Sequence, residues 1–323
     1  MRAVQVLSPG HAEFVEVPKP DLKPGHALVR PLRLSLCGSD IWLLHYAPKE
    51  SYPFPPGTTG HEMVGVVEAI DAPGSGIEPG TVALTLAPQH EAMAEYYLAQ
   101  IDHVLPLPPG KTIEELLQAQ QLGTVLYAGK FLSTDVLCKD VAVIGQGSAG
   151  LWFDWMLRRM GARRVIGIDL QAHRLALPKF YGATHTVNNS EISAAEAVAE
   201  ITEGHMVDLV VVAAAEHDTV AMAASLIKEH GEILCFGIPH LQEMTFDYFQ
   251  FFRKYPRLKT ISGAHNDPGQ GVTRYALELI ASGEIDVKPI ITHNFPFERV
   301  MEAYELQRTR DEGAIKIVVE MPE

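Results

Sequence analysis

Two patterns of apolar and polar residues divide the chain near residue 120. In the first part, short apolar stretches are separated by turn-forming pairs such as Pro24-Gly25, Pro73-Gly74 and Pro109-Gly110. Short apolar stretches between turn residues are typical of β-strands. We therefore predict a mainly β domain, folded as a partly closed barrel. Its strands are expected at MRAVQVL, AEFVEV, HALVRPLRLSL, GHEMVGVVEAI, GTVALTL and AEYYLA.

Beyond residue 120, apolar runs are separated by longer stretches of helical pattern. The predicted strands are VAVIG, RRVIGID, THTVN, VDLVVVA, EILCFGI and LKTISGA. Because parallel strands need crossover connections, this alternation predicts an α/β fold with a doubly wound parallel sheet, the Rossmann arrangement. A further helix, RYALELIASGE, and a closing strand follow. We assign residues 1–122 plus 266–323 to the mainly β domain and residues 123–265 to the Rossmann domain.

Composition and charge disfavour several classes of partner. The chain has 323 residues, 47% of them hydrophobic and 20% charged, which is ordinary for a globular protein with two cores. Its formal net charge of −14, without any basic run, disfavours nucleic acid. The longest apolar stretches fall far short of the roughly 20 residues that span a bilayer, and no signal peptide is evident. We therefore expect no membrane association.

The three cysteines, Cys37, Cys138 and Cys235, are widely separated and form no CxxC pair. A chain of this size does not need disulfides, and an odd number of thiols fits a reducing compartment. We expect a cytoplasmic protein without a four-thiolate structural zinc site.

The segment Gly145-Gln146-Gly147-Ser148-Ala149-Gly150 matches the GxGxxG pattern of dinucleotide-binding turns. It follows a predicted strand and opens a helical stretch. Gly145 would permit a tight bend, Gly147 a close approach of the pyrophosphate, and Gly150 close packing of helix and strand. The helix start, with Ser148 and Ala149, would then bind the phosphates. The alternative is a tight turn with no ligand.

Asp169 lies 19 residues beyond Gly150, at the end of the next predicted strand. There it would accept hydrogen bonds from the adenosine ribose and repel the additional phosphate of NADP, so NAD(H) is the expected cofactor. Arg174 either flanks the adenine or is an ordinary surface residue. The carboxyl edge of the sheet, with Ala213 to His217 and Gly237 to His240, is expected to face the nicotinamide.

Two clusters in the β domain carry residue types that bind metals. They are Cys37-Gly38-Ser39-Asp40 and Gly60-His61-Glu62. A thiolate, an imidazole and a carboxylate suit a zinc ion, and a catalytic zinc site uses three protein ligands and leaves one position open. The 24-residue gap between Cys37 and His61 is not a local metal signature, and Cys37 alone is more typical of a buried unreactive thiol.

The order of these segments resembles the medium-chain zinc-dependent alcohol dehydrogenases, particularly their polyol and threonine dehydrogenase branch. The resemblance runs along the whole chain through CGSD, GHEMVGVVEAI, GTVAL, AEYYLA, VAVIGQGSAGL and RVIGIDLQAHRL. It implies a GroES-like catalytic domain, one catalytic zinc ion, and hydride transfer between NAD(H) and an alcohol, with a ketone or aldehyde as the oxidised partner. A homodimer or homotetramer is expected.

The resemblance also implies individual roles. Cys37 and His61 would bind zinc, and Glu62 would be a direct ligand or move on and off the ion. Ser39 would receive the alcohol proton, and Asp40 would orient the histidine ligand.

The chain departs from that family at three places. Only residues 87–93 occupy the interval in which many members carry a four-cysteine lobe. Gln120, or its neighbour Gln121, stands where a Cys, Glu or Asp is usual, and an amide is a poorer zinc ligand. Trp42 replaces a histidine that passes the proton to solvent in some relatives, which leaves His45 as an alternative route.

Two other functions compete with an alcohol dehydrogenase. One is a zinc-free quinone or enone reductase of the same superfamily, which Gln120 favours and the Cys37, His61 and Glu62 set disfavours. The other is a dinucleotide-binding sensor without catalytic activity. The sequence does not define the alcohol, and a polyol, a simple secondary alcohol and an aromatic alcohol remain candidates.

Overall fold

A computed structural model describes residues 1–261 and 263–322. The chain forms two compact units, one of Met1–Thr124 with Gly263–Glu323 and one of Val125–Ser262. The boundaries expected from the sequence, after residues 122 and 265, lie close to these positions. Within the described residues, none of the helices has the length and apolar character needed to cross a membrane.

Strands and helices follow the predicted order. The strands are β1 (Arg2–Ser8), β2 (His11–Glu16), β3 (His26–Ser35), β4 (Glu62–Asp71), β5 (Val82–Leu86), β6 (Tyr97–Gln100), β7 (Val104–Pro106), β8 (Asp140–Ile144), β9 (Arg164–Asp169), β10 (His185–Asn188), β11 (Val207–Val212), β12 (Ile227–Cys235), β13 (Arg257–Thr260), β14 (Ile291–Pro296) and β15 (Lys316–Glu320). The α-helices are α1 (Gly38–His45), α2 (Ile113–Leu117), α3 (Ala119–Gly129), α4 (Ser148–Arg159), α5 (Ala194–Ile201), α6 (Thr219–Leu226), α7 (Tyr248–Arg253), α8 (Gly271–Ala281) and α9 (Val300–Thr309).

The first unit is built around β3. This strand pairs antiparallel with β4, β6 and β15, and the described strands of its sheet run in the order β14-β15-β3-β4-β5-β7. Ser35, the last residue of β3, lies opposite Glu62 on β4 and Val318 on β15. The closing strand therefore brings Lys316 to the end of the sheet where Ser35 and Glu62 face each other.

The second unit contains the parallel sheet. Its described strands run in the order β10-β9-β8-β11-β12-β13, and every neighbouring pair is parallel. Strands β8 and β11 are buried at each residue, as expected for a sheet with helices on both faces. The predicted fold class, a doubly wound α/β sheet with a separate mainly β domain, is confirmed.

Asp154 is an enclosed acid on α4, with 0% of its surface exposed. Burial disfavours its charged form, and the nearby side chain of Gln146 only partly offsets this, so the pKa of the carboxyl is raised well above its usual value. The folded protein therefore keeps Asp154 protonated over a pH range in which an exposed aspartate is ionised.

Replacing Asp154 by Asn is expected to alter the pH dependence of stability. Above about pH 3.8, the ordinary pKa of aspartate, the unfolded chain loses a proton that the folded protein retains. Wild-type stability therefore falls as pH rises from there through the raised folded pKa. The Asp154→Asn variant lacks this titration, so its free energy of unfolding should rise relative to wild type by about 1.4 kcal/mol per pH unit in that window. Urea unfolding across pH measures the difference.

The exposed Asp21 provides the control, since Asp21→Asn changes the same charge without the burial. A stability difference between Asp154→Asn and wild type that stays constant with pH would contradict the prediction.

Candidate functional site

The β3–β4 pairing closes the long sequence gap between the two metal-type clusters. Cys37 follows β3, and His61 immediately precedes β4, whose first residue, Glu62, lies opposite Ser35. The two strands are antiparallel, so the residues beyond Ser35 return alongside those before Glu62. The ligand atoms of Cys37, His61 and Glu62 all lie within 4.8 Å of one another. The structure thus brings together the three residues that the sequence analysis singled out.

The carboxylate of Glu62 is completely buried and its two oxygens have different surroundings. Oε2 accepts a hydrogen bond from the Ser35 hydroxyl and lies 2.5 Å from Nζ of Lys316, a lysine with only 1% of its side chain exposed. Oε1 has no hydrogen-bond partner in the described structure and lies 3.8 Å from His61 Nε2. One oxygen is therefore anchored, while the other is available to a metal ion.

Cys37 is the N-cap residue, immediately before the first residue of α1. Burial and the charge of Glu62 raise the pKa of its thiol, but His61 and Lys316 outweigh them and the net shift is downward. A position at a helix N-terminus also favours a thiolate. The thiolate is the form of cysteine that binds metals.

Asp40 is fully buried in the first turn of α1 and connects the two clusters. Its Oδ2 accepts a hydrogen bond from the backbone N–H of Cys37 (2.8 Å), and its Oδ1 accepts one from the backbone N–H of Gly60 (2.9 Å). Oδ1 also lies 3.6 Å from His61 Nδ1. Burial opposes ionisation, but the nearby imidazoles of His61 and His90 outweigh it and lower the pKa of Asp40. The carboxylate is therefore ionised and orients its neighbours.

These residues fit a zinc ion. They supply one sulfur, one imidazole nitrogen and one carboxylate oxygen, the donor types that zinc prefers. The 3.8 Å separation of His61 Nε2 and Glu62 Oε1 is comparable with that of two ligands on one ion whose bonds are about 2.0–2.2 Å. Ser39, in the same turn as Asp40, is buried, and its hydroxyl has no hydrogen-bond partner within residues 1–261 and 263–322. Its position suits a hydrogen bond with the hydroxyl group of a bound small molecule.

The structure corrects the choice between the two glutamines. Gln121, not Gln120, is the buried residue whose side-chain Nε2 lies 3.9 Å from Cys37 Sγ. Each residue along an α-helix turns the side chain by about 100°, so two neighbours cannot face the same point. Gln120 is half-buried and its carbonyl accepts a hydrogen bond from Thr124. The amide beside the thiolate is that of Gln121.

Sequence reasoning missed His90. It lies in the short segment 87–93, and its ring centroid is 4.2 Å from that of His61. Its Nδ1 is 3.8 Å from Asp40 Oδ1, so Asp40, His61 and His90 form a second group of potential ligands. The only signal in the sequence was a histidine within the interval that replaces the absent lobe.

Trp42 and His45 both lie on α1, but at different distances from the cluster. His45 is the last residue of the helix, about 10.5 Å along its axis from Gly38 at a rise of about 1.5 Å per residue. Its surroundings include Gly10 and the charged side chains of Glu305 and Arg308. Burial and Arg308 lower the pKa of His45. This position lies far along the helix from Cys37, so the proposed proton route through His45 gains no support from its location.

The dinucleotide turn is packed so closely that it requires glycine at two of its positions. Gly145 has a φ of +91°, and a Cβ added there would lie 2.8 Å from the Cβ of Ala214. A Cβ on Gly150 would lie 1.9 Å from the carbonyl oxygen of Gly145. Ser148 and Ala149 are the first two residues of α4, and Gly147 precedes them. The turn lies where the strand order reverses between β8 and β11, the usual ligand position in such sheets.

Three other predicted cofactor residues surround this turn. Asp169 accepts hydrogen bonds from the backbone N–H groups of Gln146 (2.7 Å) and Gln171 (2.8 Å). Arg174 is buried, and a Cβ on Gly147 would lie 3.3 Å from its guanidinium. A Cβ on Gly237 would lie 2.3 Å from the carbonyl oxygen of Ala214. The acid and the guanidinium therefore lie beside the turn, and Gly237 lies beside the end of β11.

Comparison with known proteins agrees with both parts of this arrangement. Residues 23–109 match the alcohol dehydrogenase GroES-like domain, and residues 150–282 match the zinc-binding dehydrogenases. An alcohol dehydrogenase from Cupriavidus necator and sorbitol dehydrogenase 1 from Saccharomyces cerevisiae are each 26% identical to the chain, over 99% of it and 98% of their own lengths.

A solved structure supports the fold. The zinc dependent alcohol dehydrogenase 2 from Streptococcus pneumonia has a TM-score of 0.85 at 23% identity, covering 100% of this chain and 99% of that one. At this identity the likeness shows the fold alone. Because the two family patterns occur in order and together span most of the sequence, the chain belongs to the medium-chain zinc-dependent alcohol dehydrogenase family and is an oxidoreductase of that type.

Proposed function

We propose that this protein is a zinc-dependent, NAD(H)-linked dehydrogenase of a polyol or another secondary alcohol. The observation that carries the proposal is the convergence of Cys37, His61 and Glu62, with no hydrogen-bond partner for Glu62 Oε1 within residues 1–261 and 263–322. A 26% identical sorbitol dehydrogenase supports the substrate class. We also propose that the enzyme acts in the cytoplasm as a homodimer or homotetramer.

In this proposal Cys37, His61 and Glu62 hold one zinc ion, with Gln121 beside the thiolate. A bound zinc ion would act as a Lewis acid that lowers the pKa of the alcohol. Ser39, whose hydroxyl has no hydrogen-bond partner among the described residues, would receive the alcohol proton while releasing its own hydroxyl proton to solvent. Lys316 and Ser35 fix Glu62 through Oε2, and Asp40 Oδ1 lies 3.6 Å from Nδ1 of His61.

The glycine turn and α4 would bind the cofactor in the second unit. The backbone N–H groups at the start of α4 would bind the pyrophosphate, and Arg174 adds a positive charge beside Gly147. Asp169, fixed by two backbone hydrogen bonds, would accept the ribose hydroxyls. Its negative charge would oppose a 2′-phosphate, which favours NAD over NADP.

The zinc-free reductase has one feature in its favour, the amide of Gln121 where a thiolate or carboxylate is usual in the family. The site offers no such feature in favour of the sensor. A zinc-free reductase has no use for a thiol, an imidazole and a buried carboxylate whose ligand atoms lie within 4.8 Å of one another. A dinucleotide-binding sensor has no use for the buried hydroxyl of Ser39, which has no hydrogen-bond partner among the described residues and lies in the same turn as Asp40. Measured zinc content separates the first rival from our proposal, and turnover separates the second.

The central experiment combines metal analysis with an alcohol screen. Zinc-replete protein is expected to contain about one equivalent of zinc and to reduce NAD with at least one polyol or secondary alcohol. The Cys37→Ser variant should lose zinc and turnover but keep NADH binding, measured by NADH fluorescence, because the cofactor residues lie in the other unit. The exposed Cys138→Ser is the matched control.

Zinc below half an equivalent in the wild-type protein would favour the reductase. A full equivalent of zinc and tight NADH binding without turnover would favour the sensor.

Replacing Asp169 by Ser is expected to shift the cofactor preference. Loss of the carboxylate removes both the ribose acceptor and the repulsion of the 2′-phosphate. The ratio of kcat/KM for NADP to that for NAD should rise by at least about tenfold, which corresponds to about 1.4 kcal/mol. An unchanged ratio would show that another residue sets the preference.

The two glutamines can be distinguished by the same substitution at each position. Gln121→Glu puts a carboxylate beside Cys37, so zinc release to a chelator should slow by about tenfold or more, the scale of neighbouring-group effects on metal affinity. Gln120→Glu, one residue away on the helix, should leave the release rate unchanged. Slower release from Gln120→Glu alone would restore the original sequence assignment.

A further inference from the structure

The segment of residues 87–93 is hydrogen-bonded through its backbone to residues 57–61, which include His61. The backbone N–H of Ala87 donates to the carbonyl of His61 (3.4 Å), and that of Ala92 donates to the carbonyl of Gly60 (3.1 Å). The N–H of Met93 donates to the carbonyls of Gly57 (3.0 Å) and Thr59 (3.1 Å). These bonds fix the position of the segment relative to His61.

Within this segment, His90 has a positive φ, which only a few per cent of non-glycine residues adopt. Its φ is +58°, in the left-handed region that most side chains avoid. Such a backbone persists only where its surroundings determine it. Here the conformation places the His90 ring against that of His61, with centroids 4.2 Å apart and planes inclined by 47°.

Both imidazoles face the same carboxylate oxygen. Asp40 Oδ1 lies 3.6 Å from His61 Nδ1 and 3.8 Å from His90 Nδ1. Both nitrogens are buried, and neither has a hydrogen-bond partner in the described part of the chain. A strong N–H···O bond is about 2.7–3.2 Å long. The carboxylate alone is thus too distant to fix the orientation of the His61 ring.

We propose that His90 is a positioning residue of the metal centre, whose ring supports His61 and shares Asp40 with it. The inference rests on the proposed zinc site. Rotation of an imidazole about its Cβ–Cγ bond is only weakly restricted by its own covalent structure. The packed ring of His90 restricts this rotation and keeps His61 Nε2 directed at Cys37 and Glu62. The short segment 87–93 thereby contributes to the metal centre.

The alternative occupant of this space is a second metal ion on Asp40, His61 and His90. Asp40 Oδ1 already accepts the backbone N–H of Gly60, and Oδ2 accepts that of Cys37. An ion on Oδ1 would compete with a bond that orders the loop before His61. The positioning role leaves both of these bonds intact.

Two substitutions distinguish the contribution of the His90 ring from that of its Nδ1 atom. His90→Asn removes the ring but suits the left-handed backbone, which asparagine tolerates better than most residues. His90→Phe keeps a ring against His61 but removes Nδ1. The exposed His11, in the same unit, provides the control His11→Ala.

The measurements are zinc release to a chelator and the d–d absorption spectrum of the cobalt-substituted protein. His90→Asn should release zinc about ten times faster than wild type, within the range for groups that orient metal ligands. Its cobalt spectrum should change, because the geometry at His61 changes. His90→Phe should fall between His90→Asn and wild type, and His11→Ala should match wild type. An Asp40→Asn background should reduce the effect of His90→Asn.

Folded His90→Asn and His90→Phe proteins with wild-type release rates and cobalt spectra would overturn the inference while leaving the zinc site in place. Two zinc equivalents in the wild type and one in His90→Asn would also overturn it, because His90 would then be a ligand. A wild-type protein without zinc would overturn the proposed function and the inference with it.

Discussion

The buried carboxylate of Asp40 is the interaction on which the proposed metal centre depends. It accepts the backbone N–H of Cys37 on one side and that of Gly60 on the other, so it connects the segments that follow β3 and precede β4. Leaving either N–H buried and unpaired would cost about 1–3 kcal/mol. The same carboxylate faces His61 Nδ1. One side chain therefore fixes the relative positions of the backbone segments that carry the thiol and the imidazole.

Charge balance around Glu62 is the second constraint. A buried carboxylate is costly without a partner, and Lys316 provides one at Oε2, while Oε1 has no hydrogen-bond partner in the part of the chain that the structure describes. Lys316 reaches this place because β15 pairs with β3 in a register that puts Val318 opposite Ser35. The closing strand is therefore part of the site as well as of the sheet.

The sequence predicted the parts of the site that depend on local order. Cys37, Ser39 and Asp40 share one helical turn, and the glycines at 145, 147 and 150 share one strand-to-helix turn, so their spacing fixes their geometry. It did not predict Lys316 or His90, because sheet register and packing between distant segments bring them to Glu62 and His61. The choice of Gln120 over Gln121 failed for a related reason. An error of one residue on a helix turns the side chain by about 100°.

X-ray absorption at the zinc edge of the wild-type protein tests the central claim most directly, since it counts the atoms around the ion. A centre formed by Cys37, His61 and Glu62 predicts a single sulfur neighbour at about 2.3 Å and nitrogen or oxygen neighbours at about 2.0–2.2 Å. A spectrum without a sulfur neighbour, or with two or more per ion, would contradict this account.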